Sequence, residues 1–257
     1  MCSTKPFVGI LLDSTGAAAK LGRELAMPVF STLPAALTHA LLYTPKGLTL
    51  VAKPGEHGGA RVIVDFERTK KTASSFRGSP LLRSISNKSK GTKLSVIDCT
   101  AGLGADGFVI AGSGHNVTLV EKDPLFFALL RDGLQRALGS ACRRTRECAS
   151  RMELVTAPMN AITFLKEPSS TFDVAYVDPM YPAGSVKRKS LPKKGMAAAR
   201  VLQDPSGDAL QGHDIIQAAL LAMIPRVVIK RPKRAPKPQG CAFSVPATNT
   251  RYDVILL

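Results

Sequence analysis

The chain has 257 residues, of which 45% are hydrophobic and 21% charged, enough apolar material for one large domain or two modest ones and too much for a disordered protein. No apolar run approaches the ~20 residues that span a bilayer and no leader pattern opens the chain, so a cytoplasmic location is expected. The net charge of +16, from 35 Lys and Arg against 19 Asp and Glu, points to a polyanionic partner; without a basic amphipathic helix, nucleic acid is favoured over a membrane surface.

Residues 1–80 read as a small α+β domain. Phe7 to Leu12 has strand character, Ala17 to Ala26 that of a short helix, and Ala35 to Leu42 is a further apolar segment. The turn Tyr43 to Gly47 precedes two strands, Leu48 to Ala52 and Val62 to Phe66, separated by a loop rich in Pro and Gly. From Glu67 to Lys93 the composition turns basic, and residues 81–93 read as a linker, or as a loop that orders on a polyanion. The five cysteines, Cys2, Cys99, Cys142, Cys148 and Cys241, form no C-x-x-C pair and no metal-ligand spacing with the His residues, so free thiols and no metal are expected.

Leu94 to Gly107, LSVIDCTAGLGADG, organises the remainder. An apolar strand ends at Asp98, a turn carries Gly102, Gly104 and Gly107, and an apolar run follows from Phe108 to Ala111. Strand, tight loop and helix in that order form a ligand cradle, because glycines let a ligand lie close to the backbone. The spelling G-x-G-x-x-G also suits a dinucleotide, but Asp98 and Asp106 flanking the loop would repel a pyrophosphate. Two carboxylates suit a ligand with an amino group and a cationic sulfur, as in S-adenosylmethionine. The alternative for Asp98 is a carboxylate that only caps the loop by accepting backbone N–H bonds.

Beyond the loop, strands and helices alternate. Strands are expected at Asn116 to Val120, Met152 to Thr156, Asp173 to Val177, Arg226 to Ile229 and Tyr252 to Leu257, with a helix at Pro124 to Leu138. The result is an α/β fold with a mostly parallel sheet that binds ligands at its strand ends. Glu121 closes the second strand, 17 residues after Gly104, where a carboxylate can accept two ribose hydroxyls; Lys122 flanks it. Pro158, Met159 and Asn160 follow the third strand, where Met offers an apolar surface and Asn an amide to a ring edge.

The run Asp178-Pro179-Met180-Tyr181-Pro182 starts at a strand end. Its carboxylate and proline backbone can accept hydrogen bonds from an exocyclic amine, and Tyr181 offers a face for stacking. Orientation of the amine for in-line attack would then be the main catalytic effect. Lys187, Arg188, Lys193 and Lys194 follow at once, and Lys230 and Arg231 head a second basic run; together they form a basic rim suited to nucleic acid.

In order and spacing, DCTAGLGADGF, VEKDP, YVDPMYP, KSLPKKGM, VVIKRPKRAP and RYDV resemble the ribosomal RNA small subunit methyltransferase J family. The resemblance implies a class I, Rossmann-like methyltransferase domain over residues 94–257 that methylates the exocyclic N2 of a guanine in 16S ribosomal RNA, with that RNA or the 30S subunit as partner. It implies S-adenosylmethionine contacts at Ala105 and Asp106, Glu121 and Lys122, Pro158 and Met159, and Asp178. It also implies an RNA-facing basic loop, which survives around Arg77. The chain departs from the family at Ala105, Lys122, Pro158 and Met159, where Arg, Arg and a pair of serines are usual. Methylation of another base amine, a nicotinamide-dependent reductase and a non-catalytic RNA-binding assembly factor are the alternatives.

Overall fold

A computed structural model describes residues 8–32, 34–52, 60–68, 78–86, 92–167, 171–179 and 205–257, without the side chains of 205–211. The first sheet comprises β1 (Val8–Leu11), β2 (Val29–Phe30), β3 (His39–Thr44), β4 (Gly47–Ala52) and β5 (Arg61–Val62), in the order β2-β1-β3-β4-β5, with α1 (Ala17–Leu25) between β1 and β2. The apolar segment expected at 35–42 becomes a strand only from His39, and Tyr43 and Thr44 extend it into the hairpin with β4.

The strand expected over Val62 to Phe66 stops at Val62. Val64 and Phe66 remain buried, but the chain leaves the sheet so that the Phe66 ring stacks on Phe108 at 4.8 Å. Residues expected in a basic linker also differ: α2 (Pro80–Ile85) is a helix with Leu81, Leu82 and Ile85 buried. Ser79 caps it by accepting the Leu82 N–H, and Pro80 at the first helical position has no N–H left to satisfy. Arg226 donates to the Ser84 carbonyl at 3.0 Å, tying the helix to the second sheet.

That sheet comprises β6 (Ser95–Asp98), β7 (Asn116–Leu119), β8 (Met152–Leu154), β9 (Val174–Val177), β10 (Arg226–Pro232), β11 (Cys241–Pro246) and β12 (Thr250–Leu256), in the order β11-β12-β10-β9-β6-β7-β8. Strands β8, β7, β6, β9 and β10 are parallel, while β12 runs antiparallel between β10 and β11. The chain order reverses between β6 and β9, so the crevice beyond their carboxyl ends is where such a sheet accepts ligands.

Helices α3 (Ala105–Gly112), α4 (Pro124–Leu138), α5 (Arg143–Ala149), α6 (Ala161–Phe164) and α7 (Pro205–Leu221) complete the described elements. Asp123 starts α4 by accepting the N–H groups of Leu125 and Phe126, ahead of Pro124 at the first helical position. The same helix joins the sheets. Arg136 donates to the Val64 carbonyl at 2.6 Å, and Asp132 accepts the Leu48 N–H at 3.0 Å. Ile10, Leu41 and Leu50 of the first sheet share one hydrophobic core with Leu119, Leu130 and Tyr176.

Candidate active site

The strand ends β6, β7, β9 and β10 converge on one crevice, and the loop from Cys99 to Gly104 forms its floor. The two glycines of the loop and Gly107 in the first turn of α3 serve two different ends. Gly102 has φ +55, and a Cβ there would meet nothing nearer than the Thr100 carbonyl at 3.9 Å, so only the backbone conformation demands glycine and the space above it is open. Gly104 and Gly107 do not face ligand space as expected. A Cβ on Gly104 would lie 2.6 Å from Leu130 and 3.1 Å from Phe66, and one on Gly107 2.6 Å from Leu119. These two glycines let α3 approach its own core.

Glu121 is buried, with one carboxylate oxygen accepting the Gly102 N–H at 2.7 Å and the other the Asp123 N–H at 2.8 Å. It joins the glycine loop to the start of α4 and keeps lone pairs for a diol. Burial raises its carboxyl above the ordinary range, and the two N–H donors oppose that shift. Lys122 beside it is exposed. Pro158 and Met159 are half-buried, and the Met159 N–H donates to the Glu121 carbonyl at 2.9 Å, which brings the third strand's loop to the second strand's end. Asn160 caps α6, its side-chain oxygen accepting the Ile162 N–H at 2.9 Å, which leaves its amide nitrogen and one lone pair for a ring edge.

Asp98 lies beneath the loop, 1% exposed, and accepts the Thr100 N–H at 3.2 Å; the capping reading of this residue describes its contact. Burial, then the carboxylates of Asp106, Asp178 and Glu121, push it well above the usual carboxylate range. Thr100 accepts the Asp178 N–H at 2.7 Å, clasping the glycine loop to the strand end that carries Asp178. Pro179 is buried, and a Cβ on Gly212 of α7 would lie 2.8 Å from it. Tyr181, Lys187, Arg188, Lys193, Lys194 and Arg77 lie outside the described residues.

Lys230 is not on an outer rim. Strand β10 does not end at Ile229, because β12 holds it in register to Pro232, pairing Lys230 with Tyr252 and Arg231 with Arg251. The Lys230 ammonium therefore turns inward, 2.8 Å from Asp106 and 2.7 Å from Asp178. Asp106, at the start of α3, also accepts the Tyr176 hydroxyl at 2.7 Å. Burial opposes the charge on Lys230, but Asp178 and Asp106 outweigh it and hold the group above the ordinary lysine range. A cleft of about 490 Å³ opens beside Asp106 between α2 and the β11–β12 turn, with Tyr252 in its wall.

Sequence reasoning missed Thr100, Tyr176 and Arg251. Tyr176 and Asp178 stand two apart, hence on one face of β9, which was a usable signal. Arg251 and Asp253 also stand two apart, within RYDV on β12, but the carbonyls that Arg251 reaches lie elsewhere in the chain. Buried beside Asp253, it forms a two-point pair at 2.7 and 2.9 Å and donates to the carbonyls of Lys233 and Pro236. It thereby holds the loop that displays Lys233, Arg234 and Lys237 to solvent.

The crevice offers open backbone over Gly102, a carboxylate at Glu121 and an acidic cluster at Asp98, Asp106 and Asp178. These groups fit the diol, the ammonium and the cationic sulfur of S-adenosylmethionine. No group of three or more His, Cys, Asp or Glu that could hold a metal ion occurs among the described residues. No helix among the described residues is long and apolar enough to cross a membrane.

Comparison with known proteins agrees with this geometry. Residues 29–257 match the family described as "Putative SAM-dependent methyltransferase". Ribosomal RNA small subunit methyltransferase J of Thioalkalivibrio sulfidiphilus is 35% identical over 92% of this chain and 91% of its own length. The protein of that name from Alkalilimnicola ehrlichii is 36% identical over 97% and 95%. A crystal structure of a SAM-dependent methyltransferase from Neisseria gonorrhoeae, 30% identical, superposes with a TM-score of 0.68 over 96% of this chain and 95% of that one. The nicotinamide-dependent reading of the glycine loop is set aside, and the chain belongs to the ribosomal RNA small subunit methyltransferase J family, with a Rossmann-like class I fold and S-adenosylmethionine as cofactor.

Proposed function

We propose that this enzyme methylates the exocyclic N2 amine of a guanine in small-subunit ribosomal RNA, in the cytoplasm. The observation that carries the reading is Asp178 at the end of β9, clasped to the glycine loop through Thr100, so that a carboxylate acceptor stands beside the cofactor floor. S-adenosylmethionine, when bound, supplies an electrophilic methyl group. The backbone over Gly102 and the Glu121 carboxylate would hold it, with Asp106 supplying negative charge beside it and Asp98 bracing the loop beneath it through the Thr100 N–H.

Asp178 and the backbone at Pro179 accept hydrogen bonds from the target amine and fix its lone pair in line with the methyl group. The gain comes from orientation, which removes the entropic cost of bringing two partners together. A guanine amine becomes strongly acidic once its new C–N bond forms, so no strong base is required. Asp178 stabilises the developing positive charge. The cleft beside Asp106 has room for a base extruded from its strand. The net charge of +16 and the exposed Lys233, Arg234 and Lys237 favour a nucleic-acid substrate.

The discriminating experiment offers the purified enzyme labelled S-adenosylmethionine with 30S subunits, naked 16S RNA or duplex DNA. Label entering 30S subunits or 16S RNA supports the reading, label in DNA alone supports methylation of another base amine, such as that of adenine in DNA, and tight RNA binding without transfer supports an assembly factor.

A further inference from the structure

We propose that Lys230 is the positioning residue of the methyl-transfer site, its ammonium clamping the Asp106 and Asp178 carboxylates toward each other rather than meeting RNA. The proposal rests on the reading of Asp178 as the acceptor of the target amine.

Three separate elements meet at this nitrogen. Asp106 belongs to the start of α3, Asp178 to the end of β9, and Lys230 to a part of β10 that exists only because β12 holds it in register. The two contacts, 2.8 and 2.7 Å, use one oxygen of each carboxylate, so Asp178 keeps its second oxygen for an amine. Among the described residues, the other ionisable groups facing the cluster are Asp98 under the loop, Tyr176 on β9 and Tyr252 on β12. Two carboxylates among the described residues therefore meet the ammonium, with Asp98 buried close to both. Without it, two half-buried acids would face each other over a third, fully buried one, and at least one would take up a proton. A protonated Asp178 is a poorer acceptor and cannot stabilise positive charge on the amine.

The same arrangement explains why a lysine at the head of a basic run is no rim residue. Its side chain is only 24% exposed and is committed to two carboxylates. A phosphate would have to displace both.

The test uses the full-length enzyme and Lys230→Met and Lys230→Arg variants. Carboxyl ¹³C shifts, followed by NMR from pH 4 to 9, report the aspartates directly without requiring activity. In Lys230→Met, the Asp178 titration should move up by about one unit or more. The methyl-transfer rate should fall at least tenfold at pH 6.5 and recover part of that loss by pH 9. Lys230→Arg should restore the parental pH profile. RNA affinity, and its dependence on salt, should stay within twofold in both variants.

The clamp is overturned if the aspartate titrations of Lys230→Met match the parent's, or if the substitution weakens RNA binding and lowers its salt slope while leaving the pH profile in place. A parent enzyme that fails to methylate 30S subunits or 16S RNA counts against the proposed function. The NMR result then still decides the clamp.

Discussion

Substituting Gly102 or Gly104 by alanine separates the ligand cradle from the core that supports it. Both residues have positive φ, +55 and +75, so each alanine carries a left-handed backbone penalty of about 1–2 kcal/mol. At Gly102 the added methyl meets only open space, and the melting temperature should fall by about 2–6 °C in a chain of this size. At Gly104 the methyl would stand 2.6 Å from Leu130, which is fully buried, and 3.1 Å from Phe66, held by its stack on Phe108. Overpacking then adds about 1–3 kcal/mol, for a total of about 2–5 kcal/mol and a fall of about 4–20 °C. Binding should show the opposite order. Gly102→Ala places a methyl in the space proposed for the cofactor and should weaken S-adenosylhomocysteine at least ~10-fold, or ~1.4 kcal/mol. Folded Gly104→Ala, measured well below its transition, should bind within a few-fold of the parent. Thermal denaturation and calorimetric titration suffice. Parental affinity in Gly102→Ala, or equal destabilisation by the two changes, would refute the assignment of open space above Gly102.

Asp98 gives a pH signature. Burial and the neighbouring carboxylates raise its folded pKa above the unfolded value, so its contribution to stability is fully present below the unfolded value and is lost as pH rises through the folded one. Asp98→Asn keeps an oxygen for the Thr100 N–H and does not titrate, so its melting temperature relative to the parent should climb from pH 5 to 9; a constant difference would contradict the burial argument. Arg251→Ala strands Asp253 at 0% exposure and should cost about 3–5 kcal/mol in urea denaturation. A loss under 1 kcal/mol would show the pair to be dispensable. Replacing Lys233, Arg234 and Lys237 together by alanine should reduce the slope of log affinity for RNA against log salt by about 2, while S-adenosylhomocysteine affinity is retained. An unchanged slope would remove this loop from the RNA surface.

Features that depend on neighbouring residues were legible in the sequence. The strand ending at Asp98, the glycine turn and the capped helix after Asp123 follow from local periodicity and from residue types suited to each backbone position. Glu121 and Asp178 were found for the same reason, since each closes an apolar strand. Features set by distant pairing were not legible. Nothing near Lys230 indicates that β12 extends its strand by three residues, yet that extension turns a basic-loop residue into the partner of two acids. Leu81, Leu82 and Ile85 are apolar, but their helix becomes visible only once the second sheet offers it a surface. Gly104 and Gly107 fit a ligand motif in spelling and serve packing in space.

The central claim concerns one atom of one base. Small-subunit RNA incubated with the enzyme and S-adenosylmethionine, digested to nucleosides and analysed by mass spectrometry against standards, identifies the site of methylation. The account predicts N2-methylguanosine from the parent enzyme, with a yield per unit time at least ~100-fold lower from folded Asp178→Ala, a loss of ~3 kcal/mol in the transition state. Methyl groups on another atom, or undiminished N2-methylguanosine from Asp178→Ala, would contradict it.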